Sequence, residues 1–247
     1  PATRAARRSF LQELAAILVE PMLGSGGCIP GEVDFLHGLR MLADECGALL
    51  VFDEVMTSRL SFGGRQALLG IRPDMTTLGK YFGGGLSFGA FGGRADVMQR
   101  YDPRHSGALQ HAGTFNNNVL TMAAGLAGLT QVLTAEALDA LNARGEALRA
   151  RLNALLAERG VAMQFTGLGS LMQMQSLAGP LRSADDLAAG DDRARALVFF
   201  ELLARGVFMA RRGFMALSLP FDEAACDRFA QALEEVVSAQ QAVLPRR

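Results

Sequence analysis

Ala48-Leu49-Leu50-Val51-Phe52-Asp53-Glu54 is an unbroken apolar run that stops abruptly on two acids. Such a run has no polar face to give to solvent, so it reads as a strand covered on both sides, as in a parallel sheet. The segments around it fit that reading. Glu32 to Cys46 spaces its apolar residues as a helix, Leu14 to Glu20 is a second apolar run, and Met75 to Gly79 and Phe88 to Gly92 look like further short strands. Buried strands separated by helices indicate an α/β architecture. Asn116 to Leu133 is expected to be a long helix with an Asn cap, its small residues suiting close packing.

Past residue 135 the texture changes. Ala135 to Arg159 reads as a second long helix, and short strands (Val161 to Phe165, Leu171 to Met174, Val207 to Met209, Phe214 to Leu219) then mix with helices near Asp192 to Ala204 and Glu223 to Ala242. Ser183 to Asp192, rich in Asp, Ala and Gly, is expected to be an exposed loop. The expected organisation is therefore a domain over residues 1–134 and a smaller α+β domain over 135–247.

Composition removes several function classes. The chain has 247 residues, half of them apolar, and a formal charge of −1, so it can bury a core and presents no bulk charge for nucleic acid or an anionic membrane. Its apolar stretches are of strand length rather than bilayer length, and no charged-apolar-small signal pattern opens it. A soluble, cytoplasmic protein is expected. Cys28, Cys46 and Cys226 are odd in number and widely spaced, which fits reduced thiols better than a disulfide frame or a zinc site. His37, His105 and His111 show no metal-ligand spacing, and no metal is expected.

Of the 24 basic side chains only Lys80 is a lysine. A guanidinium does not lose a proton in a protein and cannot serve as a nucleophilic amine, so imine chemistry would need that lysine. Compositional drift leaving one surface lysine is the other reading. Asp53, too, has a plain alternative as a helix cap or loop acid. Yet both are expected at the carboxyl ends of strands, where a doubly wound sheet binds ligands. A lysine and a carboxylate there are the two groups that a pyridoxal phosphate site requires. The glycine run from Gly79 to Gly93 does not fit the nucleotide loops. Asp74 stands where a Walker A loop needs Gly, Tyr81 where it needs Ser or Thr, and Phe88 where a dinucleotide fingerprint needs its third Gly. The glycines are expected instead to let backbone pass close to a flat cofactor.

Leu50 to Met56, Pro73 to Lys80, Gly83 to Gly85, Phe88 to Arg94 and His111 to Asn118 resemble, in order, the successive motifs of the class III, fold-type-I pyridoxal phosphate aminotransferases. The branch indicated contains glutamate-1-semialdehyde aminomutase and the aminotransferases of β-amino acids such as β-phenylalanine. The resemblance implies the second half of the fold-type-I large domain followed by the small domain. It implies Lys80 as the Schiff-base lysine, Asp53 as partner of the pyridinium nitrogen, and Val55 as the residue packed on one ring face, with an ordinary core valine as the other reading of Val55. Thr114 matches the threonine that hydrogen-bonds the cofactor phosphate of a neighbouring subunit, which implies a homodimer with shared sites. Arg212 matches the arginine that clamps a substrate carboxylate, with adjacent Arg211 as its rival. The implied reaction moves an amino group from an amino acid, expected to be a β-amino acid, to an oxo acid such as 2-oxoglutarate or pyruvate. An aminomutase, or a catalytically incomplete fragment, remains the alternative.

The sequence also departs from the family. Ser58-Arg59-Leu60 follows Thr57 where many members carry Gly, and Asn116-Asn117-Asn118 replaces the common Gly-Asn-Pro. Both departures favour the β-amino acid branch. The chain opens near the middle of a usual member, so the phosphate loop and the ring-stacking aromatic are expected outside it, with a companion N-terminal chain as one source.

Overall fold

In the computed structural model the described residues are 13–247. In chain order the elements are β1 (Ala16–Val19), β2 (Met22–Leu23), β3 (Ile29–Pro30), α1 (Val33–Cys46), β4 (Leu49–Asp53), α2 (Gly64–Leu69), β5 (Met75–Gly79), β6 (Gly89–Gly93), α3 (Ala95–Met98), α4 (Val119–Ala127), α5 (Ala135–Glu158), β7 (Gln164–Leu168), β8 (Leu171–Gln175), α6 (Asp192–Ala204), β9 (Phe214–Ala216) and α7 (Glu223–Ala239). They form two compact units. The first holds residues 13–21 and Glu32–Ala135; the second holds Met22–Gly31 and Glu136–Arg247.

The first unit is a mixed sheet in the order β1-β4-β5-β6. β1, β4 and β5 run parallel, and β6 returns antiparallel to β5. Residues two apart along a strand share a face, so Leu50 and Phe52 point together to the side where Leu36 and Ala43 of α1, with Ile71, complete a buried cluster. α1 ends where Gly47 turns left-handed (φ 68°) and its N–H bonds Ala43 O and Asp44 O. The opposite face carries Val51, Asp53, Met75 and Thr77, all half-buried.

The second unit is a three-stranded antiparallel sheet, β7-β8-β9. Leu141, Leu148, Leu152 and Leu156 of α5 recur at helical spacing and pack with Phe165, Met172, Met174, Val198, Leu202, Phe229 and Leu233 into one core. The β2–β3 hairpin belongs to this unit although its sequence lies inside the first. Gly27 O accepts from Thr166 Oγ1 at 2.6 Å and from Gln175 Nε2 at 2.9 Å.

Several expected elements differ, among them the strand expected at Val161 to Phe165, which runs Gln164–Leu168. The long helix begins later: Asn118 rather than Asn116 caps it, Oδ1 accepting from Leu120 N and Thr121 N, and after Ala127 it loosens into a π turn at Gly128–Val132. Asn116 and Asn117 are taken up in the preceding turn, where Asn117 is left-handed (φ 56°). Val207 to Met209 joins no strand; Met209 is buried in the core, so its apolar pattern reports burial rather than pairing. The expected loop after Ser183 contains a short 3₁₀ helix, Ala184–Ala189, held by a Ser183–Asp186 capping box. Among the described residues no single helix is long and apolar enough to cross a membrane.

Candidate functional site

β4 and β5 are parallel with Asp53 opposite Thr77, so their carboxyl ends open on one rim of the sheet. Glu54 N ties the rim by donating to Thr77 O at 3.1 Å. Asp53 is the last residue of β4 and Lys80 the first after β5. Lys80 has φ 55°, a left-handed conformation that costs a side-chain-bearing residue about 1–2 kcal/mol. Strain of that kind concentrates where function over-determines the backbone. The Lys80 side chain is exposed, and among the described residues nothing hydrogen-bonds or ion-pairs with its amine. Asp53 Oδ1 accepts from Val55 N at 3.0 Å; among the described residues no donor reaches its other oxygen. Val55 lies over Gly79, where an added Cβ would stand 3.3 Å from Val55 Cγ1 and 3.3 Å from Phe88 O. The rim thus gathers an uncommitted amine, a half-committed carboxylate and an apolar branched side chain.

The neighbouring acids are committed to structure. Glu54 is fully buried and accepts from Arg65 N (2.7 Å), Gln66 N (2.8 Å) and Thr57 Oγ1 (2.9 Å), so it holds the first turn of α2. Burial pushes its carboxyl above the ordinary value, and those three bonds offset only part of the rise. Gly64 allows the arrangement: it has φ 73°, and a Cβ there would meet Glu54 Oε1 at 2.7 Å. Asp74 is also buried. Burial alone would raise its pKa, but the bonds from Leu50 N (2.7 Å), Arg94 (2.7 Å) and Arg40 (2.8 Å) hold it below the ordinary range. It therefore joins β4, α1 and the residue after β6. Near the rim Tyr81 OH donates to Ser58 Oγ at 3.1 Å, and burial raises the Tyr81 phenol and lowers the Arg59 guanidinium.

Within the glycine run, Gly84 serves helix packing. At Gly84 (φ 61°) an added Cβ would come within 2.4 Å of the Ala124 carbonyl, and at Gly125 within 2.3 Å of Phe82 O. Gly84 therefore makes room for the α4 backbone, whereas Gly85, Gly89 and Gly92 have open space where a Cβ would stand. Between residues 86–90 and 115–122 lies an open cleft of about 760 Å³, lined in part by Phe88, His111, Asn116, Asn117 and Leu120. His111 sits edge-on to Phe91 at 5.2 Å between ring centroids. Thr114 opens the exposed turn beside this cleft, next to Phe115. Neither Lys80 nor Asp53 lines it.

Arg211 and Arg212 lie in the second unit, both exposed. The Arg212 guanidinium stands over the Phe214 ring at 5.2 Å, and its carbonyl accepts from Gln173 Nε2 at 3.0 Å. Arg211 stands 6.0 Å from the Phe200 ring. Within this unit Arg212 is the more firmly fixed of the pair. Among the described residues no group of three or more His, Cys, Asp or Glu side chains is placed to hold a metal. Sequence reasoning missed Asp74 and Thr77. Both lie in the Pro73 to Lys80 motif, but the sequence assigns neither a role, Asp74 standing out otherwise as a mismatch to a nucleotide loop.

The profile of the family described as aminotransferase class III matches residues 3–237. The chain is 61% identical over 234 residues to the β-phenylalanine transaminase of Variovorax paradoxus, covering 95% of this chain and 54% of that protein. The crystal structure of the β-phenylalanine aminotransferase from the same organism superposes with a TM-score of 0.94 at 59% identity, over 98% of this chain and 56% of that one. Glutamate-1-semialdehyde 2,1-aminomutase of Nitratidesulfovibrio vulgaris is 40% identical over 85% of this chain and 49% of the relative. A solved transaminase with PLP bound reaches a TM-score of 0.82 at 30% identity, over 95% of this chain and 55% of that one. The chain spans about half the length of the relatives it matches.

Proposed function

The chain belongs to the class III aminotransferases, and from that premise we propose that it serves the pyridoxal phosphate-dependent transfer of an amino group from a β-amino acid to an oxo acid, in the cytoplasm. What supports the reading is that the one lysine, its amine uncommitted, and a carboxylate with an oxygen to spare both stand at the carboxyl-end rim of β4 and β5. That donor set fits the cofactor, which when bound supplies an electron sink for the bond broken at the substrate carbon.

In this reading Lys80 holds the cofactor through its amine and, once displaced by substrate, carries a proton to and from the substrate carbon. Asp53 keeps the ring nitrogen protonated, because a carboxylate paired with a cation makes one of the stronger charge-assisted hydrogen bonds. Val55 packs against one ring face. Thr114, on its exposed turn, reaches the phosphate of a second copy's cofactor, so the functional unit is a homodimer. Arg212 binds the substrate carboxylate with its planar fork, which a point charge does not reproduce. A segment matching the other half of the relatives, linked or as a companion chain, completes the pocket.

The test begins with the cofactor. Borohydride reduction after adding pyridoxal phosphate should place the label on the peptide containing Lys80, and Lys80→Ala should take none. Labelling of the N-terminal amine alone defeats the assignment. β-Phenylalanine with 2-oxoglutarate should then give glutamate only when both are present. Product formed without an acceptor favours the aminomutase reading.

A further inference from the structure

Thr77 stands near the end of β5, in register with Asp53 on one side and Phe91 on the other. Register partners leave the sheet on the same face, so the Thr77 and Asp53 side chains share the face opposite to that which packs on α1. The Thr77 hydroxyl is buried and, among the described residues, has no hydrogen-bond partner. Its neighbour Thr76, on the other face, donates to Gln66 Oε1 at 3.3 Å. Buried hydroxyls are seldom left without a partner, and one that is calls for an explanation.

Asp53 offers the complement. One of its oxygens accepts from Val55 N, and the other meets no donor among the described residues. Adjacent strands lie about 4.8 Å apart, so a hydroxyl and a carboxylate facing each other across that gap are one side-chain rotation from a hydrogen bond. We propose that Thr77 is a positioning residue for Asp53: its hydroxyl donates to the spare oxygen when the carboxylate turns to its cationic partner. The bond fixes the carboxylate plane, which keeps the negative charge aimed at the ring nitrogen. The inference rests on the role proposed above for Asp53.

Thr77→Val removes the hydroxyl at nearly constant shape, and Thr77→Ser restores it. Without cofactor, Thr77→Val should melt at or above the wild-type temperature, because no hydrogen bond is lost. It should bind pyridoxal phosphate about tenfold more weakly, the worth of one hydrogen bond to a charged group. With ring-labelled cofactor, its ¹⁵N resonance should move toward that of neutral pyridine, and Thr77→Ser should recover both affinity and resonance. Wild-type affinity and resonance in Thr77→Val overturn the inference alone. So does a clear loss of cofactor-free stability, which would show that the hydroxyl has a structural partner. If Asp53→Ala binds the cofactor as tightly as wild type, the reading of Asp53 fails and the inference falls with it.

Discussion

The second unit buries an extended apolar core in which α5, α6, α7 and the β7–β9 sheet all take part. Among the described residues of the first unit the buried apolar cluster comprises Leu36, Ala43, Leu50, Phe52 and Ile71, and the sheet is tied through carboxylates, Glu54 to α2 and Asp74 to α1 and Arg94. The first unit also exposes Leu18, Phe115, Val119, Leu120 and Leu126. Apolar packing fills space evenly and leaves little to bind with. Polar pins fix a few backbone positions tightly and leave their neighbours with spare capacity, which is the condition of Asp53 beside Glu54 and of Thr77 beside Thr76. Lys80 and Asp53 lie in the unit held by pins.

The largest effect expected from that contrast is at Asp74. Asp74→Ala strands Leu50 N and the part-buried Arg40 guanidinium, and breaking a buried pair by removing one partner costs about 3–5 kcal/mol. Hydrogen exchange should show lost protection in β4 and β5 while β7 and β8 keep theirs. Equal losses in both sheets would break the comparison, because the pin would then be supporting the whole chain.

A smaller loss with the opposite distribution is expected at Leu152, which is fully buried in the second core. Leu152→Ala should cost about 3 kcal/mol, the lost transfer energy plus the cavity left behind. Protection should fall in α5, β7 and β8 and hold in β4 and β5. A value near zero would mean that the core repacks freely, and the second unit would not be the well-packed partner in the contrast.

Much of this was legible in the sequence, for local reasons. Leu49 to Asp53 is a continuous apolar run with a sharp polar end, and Met75 to Gly79 is a mixed run whose two adjacent threonines favour a strand; the first buries one face and leaves the other half-buried. The rim followed, since Asp53 and Lys80 end those runs. What escaped depends on distant partners. Nothing local distinguishes Glu54 from Asp53; the difference lies in the backbone N–H groups of Arg65 and Gln66, to which only the folded chain brings Glu54. Asp74 acquires its meaning from Arg40, Leu50 and Arg94. The hairpin joins the second unit through Gly27 and Thr166, 139 residues apart. Arg211 and Arg212 are equivalent as letters, and Phe214 and Gln173 separate them only in space.

The smallest expected effect is in pH dependence, and it tests whether the two pins of the first unit differ in kind. Asp74 is held below the ordinary carboxylate range, so its contribution is fully present above that range and is lost as pH falls through its folded value. Asp96 and Asp102 shift the same way but are open to solvent, where such pairs count for little. Glu54 is raised by burial, so the folded unit holds its proton longer than the unfolded chain does. Its charged form therefore costs stability, and that cost grows as pH rises from the ordinary glutamate value to the folded one. Each proton held differently by the two states contributes a slope of about 1.4 kcal/mol per pH unit within its window. Together the two carboxylates should give the first unit a shallow maximum near the ordinary carboxylate pKa, about 4, with a decline on either side. Following β4 and β5 protection from pH 3 to 7 reads the curve. Glu54→Gln should flatten the upper limb and leave the acid limb intact. An upper limb that rises with pH in the wild type would mean that the bonds to Arg65 N, Gln66 N and Thr57 outweigh the burial of Glu54, and both pins would then act alike.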